Sequence, residues 1–192
     1  MQNFFKMGEQ ADALMNQGDT RQAISIYSDI GREMTRLRVV DLYVVGKITL
    51  GTLSALAKDE AWEPAFKIWT AKDGLYALGI SGIEQGQISV YDAMLYRLIS
   101  ARLHGLASRP AQEAKAAVDE TLAVIVDWAR AEKQDSWLPF VVGTWLNCYD
   151  NITNGQIPSE WRREIESRTG LSATRAVWTY PVPDAWNLSW AA

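Results

Sequence analysis

The fold is indicated most clearly by residues 4–30, which read FFKMGEQADALMNQGDTRQAISIYSDI. Apolar residues here recur at the spacing of three and four that places side chains on one helical face. On the first helix they are Phe4, Met7, Ala11 and Leu14. The pair Gly18-Asp19 interrupts the pattern, and Asp19 or Thr20 can cap a second helix. That helix carries Ala23, Ile24, Tyr27 and Ile30. The stretch predicts two antiparallel helices joined by a tight turn.

Helical spacing continues along most of the chain. The segment from Arg38 to Ala57 is rich in β-branched residues, but its length and spacing favour a buried helix over strands. Four glycines between Gly74 and Gly86 predict a connection or a short distorted helix. Further helices are predicted at 62–69, 89–103, 111–128, 137–151 and 158–168. We therefore expect an all-α fold, an irregular array of antiparallel helix hairpins with eight or nine helices.

The chain changes character after Gly170. Residues 178–190 contain four large aromatic side chains together with Pro181 and Pro183, which favour an extended course over a continuous helix. The aromatic residues are Trp178, Tyr180, Trp186 and Trp190. Leaving them in water would be costly, because burying each one stabilises by roughly 1.5–3 kcal/mol. We expect a single α-helical domain at 1–170 and an extended tail at 171–192 that docks on its own chain or on a partner.

The first helix pair resembles a tetratricopeptide (TPR) repeat over residues 4–34. The resemblance rests on the Gly18-Asp19 turn, on Ala11 and Leu14 before it, and on Ala23, Ile24 and Tyr27 after it. A weaker match covers 44–72, through Leu53, Leu56, Ala65, Phe66 and Trp69. In the TPR family the first helices of successive pairs line a groove that binds peptides, and the groove catalyses no reaction. The resemblance implies that the groove-facing residues are Phe5, Asp12, Met15, Lys47, Leu50 and Ser54.

Composition and charge exclude several classes of function. The formal net charge of −4 argues against a nucleic-acid partner, since phosphate binding needs clustered Lys and Arg. No apolar run approaches the roughly 20 residues of a membrane span. The single cysteine, Cys148, fits a reducing compartment and is predicted to be a small buried side chain. We expect a cytoplasmic or virion-associated protein, of bacterial or viral origin, without membrane insertion.

Residue types that carry chemistry are sparse. His104 is the only histidine, so histidine-based metal clusters and catalytic triads cannot be assembled without it. Nucleotide-binding glycine motifs are missing, and adjacent carboxylates such as Asp119-Glu120 point about 100° apart on a helix. We interpret such carboxylates as solvated helix faces. The sequence predicts no enzyme activity and no cofactor or metal.

Function is expected to reside in surfaces that contact another protein or further copies of the chain. Arg32, Arg36 and Arg38 concentrate positive charge that could pair with an acidic partner, or could simply favour a helix C-terminus. The tail aromatics are candidate interface anchors. The leading hypothesis is an interaction module, an adaptor or secretion chaperone. The alternatives are an assembly subunit of a virion or large particle that uses its tail, and an immunity-type inhibitor of a basic toxin.

Overall fold

The computed structural model describes residues 2–174 and residue 190. Within these residues the regular structure is helical, which confirms the all-α fold and the expected number of helices. Trp178, Tyr180, Trp186 and the predicted extended course beyond residue 174 lie outside the described part of the chain. The α-helices are α1 (Gln2–Gln17), α2 (Thr20–Leu37), α3 (Leu42–Lys58), α4 (Trp62–Trp69), α5 (Gly74–Glu84), α6 (Val90–Leu106), α7 (Ala111–Ala131), α8 (Leu138–Ile152) and α9 (Ser159–Thr169), with a 3₁₀ turn at Asp135–Trp137.

The described residues form two compact units. Unit 1 comprises the chain up to Tyr96 together with Trp190, and unit 2 begins at Arg97. Neighbouring helices pack as hairpins in both units: α1 on α2 and α2 on α3 in unit 1, and α7 on α8 in unit 2. None of the helices in 2–174 is both long and apolar enough to cross a bilayer. The single domain predicted for residues 1–170 stays a prediction.

The α1–α2 hairpin forms as its sequence indicates. Gly18 adopts the left-handed backbone conformation, with φ of 86°, which reverses the chain after α1. The Asp19 side chain then accepts a hydrogen bond of 3.1 Å from the backbone N–H of Gln22 and caps α2. The small residues Ala11 and Ala23 are fully buried, so the two helices approach closely.

Helix α3 starts later than the sequence predicts. Arg38 adopts a left-handed conformation, with φ of 54°, and ends α2. The α3 helix begins at Leu42, where the Asp41 carboxylate accepts a 3.1 Å hydrogen bond from the Val44 N–H. Nearly all of α3 is buried because α2, α4 and α5 pack around it. Its β-branched residues therefore mark a central buried helix.

The glycine-rich stretch is helix α5, and its glycines serve close packing. Gly79 and Gly82 are buried against α3. A Cβ on Gly79 would lie 2.7 Å from Thr49 Cβ and 2.8 Å from the Val45 carbonyl oxygen. Backbone at that distance cannot give way, so these glycines allow α5 to lie directly on α3.

Replacing Gly79 with alanine should destabilise unit 1 despite the higher helix propensity of alanine. Overpacking of this kind costs about 1–3 kcal/mol, whereas the propensity gain is at most about 1 kcal/mol. Leu78→Ala on the same helix is the control, because Leu78 is 43% exposed. Urea unfolding should show a lower midpoint for Gly79→Ala than for Leu78→Ala. A Gly79→Ala protein as stable as the wild type would contradict the close approach of α5 to α3.

Candidate functional site

A buried tryptophan is enclosed by α1 and α3 in unit 1. The Trp190 side chain is 1% exposed and belongs to the apolar core of the first three helices. Its indole is contacted by four residues that we call the Trp190 pocket: Phe5, Gly8 and Asp12 of α1, and Lys47 of α3. Of the four tail aromatics, Trp190 is the one that the structure describes, and docking of the tail as a whole stays a prediction.

The polar edge of the indole is fixed by Asp12. Trp190 Nε1 donates a hydrogen bond of 2.8 Å to Asp12 Oδ2. The other carboxylate oxygen, Oδ1, accepts a hydrogen bond of 2.5 Å from the Tyr27 hydroxyl of α2. Asp12 is only 9% exposed, so both of its oxygens are supplied with donors inside the protein. The carboxylate thereby joins α1, α2 and Trp190.

The faces of the indole are enclosed by a glycine, an aromatic ring and a cation. Gly8 leaves room for the ring, because a Cβ at this position would overlap the ring atoms Cδ2, Cε2 and Cζ2 of Trp190. The Phe5 ring lies 6.4 Å away, tilted by 51°. Lys47 Nζ lies 5.7 Å from the indole centroid, within the range of a cation–π contact. The pocket thus matches both the shape and the charge distribution of an indole.

Lys47 is held in place by a buried ion pair. Its Nζ lies 3.0 Å from Asp92 Oδ2, with Lys47 2% and Asp92 6% exposed. The backbone N–H of Asp92 donates a 3.1 Å hydrogen bond to Ser89 Oγ, which secures the start of α6. Neither charge could be buried without the other at an acceptable free energy. The pair fixes the ammonium beside the indole.

Burial changes the acidity of Asp12. Desolvation raises the pKa of Asp12 from 3.8 to about 6, and the neighbouring Asp92 carboxylate adds to the rise. The hydrogen bonds from Tyr27 and Trp190 and the positive charge of Lys47 act in the opposite direction but do not cancel it. The carboxylate therefore takes up a proton at a higher pH in the folded protein than in the unfolded chain.

The pKa of Asp12 predicts how stability depends on pH. Between about pH 6 and pH 4 the folded state binds more protons than the unfolded state, so the free energy of unfolding rises as the pH falls. Asp12→Asn lacks this titration. From pH 7.5 to 4.5 the wild type should gain about 2 kcal/mol relative to the variant. Urea unfolding of both proteins across this range is the measurement. Parallel pH profiles would contradict the raised pKa.

The groove positions implied by the TPR resemblance divide into two sets. Phe5, Asp12 and Lys47 are brought together around Trp190. The other three side chains are buried within unit 1: Met15 is 5% exposed, and Leu50 and Ser54 are fully buried. Binding of a partner by any of these residues stays a prediction.

The arginine cluster lies on the surface at the end of α2. Arg32 pairs with Asp29 and Arg36 pairs with Glu33, each three residues earlier on the same exposed helix face. Arg36 lies in the last turn of α2, where a cation is favourable, and Arg38 follows as the residue that ends the helix. Exposed pairs of this kind contribute little to stability, because water screens the two charges. Pairing of this cluster with an acidic partner stays a prediction.

Sequence reasoning does not identify Gly8, the hydrogen-bonding role of Tyr27 or the partner of Lys47. Gly8 gives no local signal, because it sits inside a regular helix. Tyr27 is expected in the core but not as a hydrogen-bond donor to Asp12. Lys47 within the apolar run VVGKI does indicate a buried acidic partner, yet the pattern does not show that Asp92 supplies it. The signal for a paired lysine is thus present, and the identity of its partner comes from the fold.

Unit 2 contains a related arrangement around Asp119. Asp119 Oδ1 accepts hydrogen bonds from Trp145 Nε1 at 2.8 Å and from the Tyr149 hydroxyl at 2.5 Å. Lys115 donates to Asp119 Oδ2 at 2.6 Å and lies over the Tyr149 ring. The interpretation of Asp119 as part of a solvated face was wrong, because it is only 16% exposed and satisfies three donors. Here the tryptophan, Trp145, belongs to α8, which packs directly on the helix α7 that carries Asp119 and Lys115.

His104 and Cys148 are the remaining titratable candidates, and the surroundings of both are typical of residues with a structural role. Burial, together with the positive charge of Arg109, lowers the pKa of His104 to about 4, so it is neutral near pH 7. Burial raises the pKa of the Cys148 thiol to about 12, and its Sγ donates to the Ala101 carbonyl oxygen at 3.3 Å. The prediction of a small buried cysteine is confirmed. Over residues 2–174 and 190, no group of three His, Cys, Asp or Glu side chains is placed to hold a metal ion.

A second depression in unit 1 lies between α2, α3 and α5. Its volume is about 340 Å³. It is lined mainly by aromatic, apolar and hydroxyl-bearing side chains, together with the exposed Arg32, which already pairs with Asp29. The Trp190 pocket is the better-defined site, because it combines a bound side chain, a buried carboxylate and a fixed cation.

Comparisons with known proteins give no relative: the chain matches no protein-family model, no curated protein and no solved structure.

Proposed function

We propose that this chain is a non-enzymatic protein-interaction module of the adaptor or secretion-chaperone type. Its TPR-like helices α1–α3 bind an extended partner segment through one anchoring aromatic side chain. One observation carries the proposal: three of the six groove positions implied by the TPR resemblance surround the indole of Trp190. In this view Trp190 takes the place of the partner's side chain when no partner is present.

The nature of the occupant supports this proposal. Trp190 lies 178 positions from Asp12 in the chain, so the pocket is filled by a side chain remote in sequence. An indole that buries its apolar body and donates one hydrogen bond is the kind of group that dominates interface energetics. A partner segment that presents the same group would compete with Trp190 for Phe5, Asp12 and Lys47.

The test supplies the segment in trans. The full-length Trp190→Ala protein is titrated with a peptide of residues 184–192, DAWNLSWAA, by calorimetry. We expect saturable one-to-one binding and a higher melting temperature for the variant with peptide. The control peptide carries alanine in place of Trp190 and keeps Trp186. Equal affinity for both peptides, or binding of neither, would contradict a groove that anchors a segment by this side chain.

A second candidate function is favoured by the same docked tryptophan. Trp190 of a neighbouring copy could make identical contacts, which would make the chain an assembly subunit linked by exchanged segments. Light scattering over a range of concentrations separates the two cases. In the assembly case we expect the wild type to be an oligomer and the Trp190→Ala variant to have a lower mass. An unchanged mass with a lower melting temperature for the variant would rule out exchange.

A further inference from the structure

We infer that the Trp190 pocket is a binding site for an indole ring, so that a competing partner segment must present tryptophan and not another aromatic residue. The part of this inference that concerns the partner rests on the proposed function. The indole-binding property itself depends only on the contacts of Phe5, Gly8, Asp12 and Lys47.

The shape of the pocket suits a fused bicyclic ring. A Cβ added to Gly8 would overlap Cδ2 and Cε2, which form the bond shared by the two rings of the indole, and also Cζ2 of the six-membered ring, so the missing side chain leaves room for the fused part of the ring system. A phenyl ring anchored at the same backbone position would leave part of this volume empty. An empty space of that kind is destabilising, because the side chains that line it lose van der Waals contacts.

The polar requirement of the pocket is more selective than its shape. Asp12 Oδ2 is buried and receives its hydrogen bond from Trp190 Nε1, while Tyr27 supplies Oδ1. Phenylalanine has no donor, and tyrosine carries its donor at the far end of the ring, away from the position of Nε1. Either residue would leave a buried carboxylate oxygen without its partner, which is penalised strongly.

The cation favours the same ligand. Lys47 is fixed by Asp92 and lies 5.7 Å from the indole centroid. Tryptophan offers the most favourable face of the aromatic residues for such a contact. Shape, hydrogen bonding and charge thus independently select an indole.

Free indole tests the inference directly, because a buried cavity left by a removed ring can bind the free ring. In the full-length Trp190→Ala protein, indole should bind saturably and raise the melting temperature. Benzothiophene, which has nearly the same shape but lacks the N–H donor, should bind at least tenfold more weakly. Similar affinities for the two compounds, or no binding of indole, would overturn the inference.

Two further sets of variants control for folding. Adding Gly8→Ala to Trp190→Ala should abolish indole binding while it favours helix α1, so binding that persists would contradict the assigned pocket. In the otherwise native chain, Trp190→Phe and Trp190→Tyr should lower the urea midpoint nearly as much as Trp190→Ala. A phenylalanine variant close to the wild type in stability would overturn the selectivity, even if Trp190→Ala does not fold.

Failure of the inference and failure of the proposed function give different results. If the 184–192 peptide binds but indole and benzothiophene do not differ, the selectivity is wrong and the interaction module stands. If indole binds selectively but the peptide does not, the pocket recognises indole and the proposed groove for a partner segment is wrong.

Discussion

Replacing Lys47 with alanine is expected to lower the free energy of unfolding by about 3–5 kcal/mol, because it leaves the carboxylate of Asp92 buried without its counter-charge. Lys47 and Asp92 are 2% and 6% exposed, so water cannot replace the lost ammonium without opening the helices around it. The variant also loses the cation beside Trp190. Chemical denaturation followed by circular dichroism measures the effect.

Two control variants distinguish the cost of leaving one charge buried without its partner from the cost of losing an ion pair in general. Lys67→Ala removes a pair with Glu63 at 2.9 Å, but both side chains are at least 75% exposed, so the expected loss of stability is small, because water already solvates and screens both charges. The double variant Lys47→Met with Asp92→Leu removes both buried charges and should recover most of the stability lost in Lys47→Ala. A loss for Lys47→Ala as small as that for Lys67→Ala would show that Asp92 is not buried as described.

Replacing Trp190 with alanine is expected to cost about 3–5 kcal/mol, the usual range for removing a large buried aromatic side chain. Trp190 is 1% exposed, and its loss also leaves Asp12 Oδ2 without a donor. The cost should appear as a lower urea midpoint and a lower melting temperature. Val40→Ala is the control: Val40 is 66% exposed, and its truncation should change stability by no more than about 0.5 kcal/mol.

The Trp190→Ala result also tests whether residue 190 is part of the core in solution. If the midpoint matches that of Val40→Ala, Trp190 does not contribute to the core of unit 1, and the pocket is filled in some other way or stays open. If the midpoint falls while the backbone amides of Tyr27 and Asp12 stay protected from hydrogen exchange, the structural change is confined to the pocket.

Local patterns in the sequence predict the helix hairpins well. The α1–α2 turn depends on Gly18 and Asp19, which act within a few residues of each other, so its geometry follows directly from their types. Helix α5 is less predictable, because Gly79 and Gly82 are unfavourable for an isolated helix. Contact with α3 outweighs that local cost, and a single-sequence pattern contains no measure of this contact.

The Trp190 pocket is predictable in part. The TPR resemblance places Phe5, Asp12 and Lys47 on one side of the helix pairs, and the tail aromatics are expected to dock. That Trp190 docks on these three residues depends on a pairing across 178 positions, which no local spacing encodes. The same holds for Asp92, 45 positions from Lys47. The sequence thus indicates the need for partners, and the tertiary fold selects them.

Asp12 and Asp119 acquire their tryptophan partners at very different times during synthesis of the chain. The tryptophan that completes the Asp119 arrangement lies 26 positions away, so it leaves the ribosome soon after its partner. Asp12 must wait for residue 190, and at about 5–20 residues per second this delay lasts roughly ten seconds or more. From the time that α1, α3 and Asp92 have been made until residue 190 follows, the nascent chain carries an unfilled pocket. A cotranslational partner can therefore reach α1 and α3 before Trp190 exists.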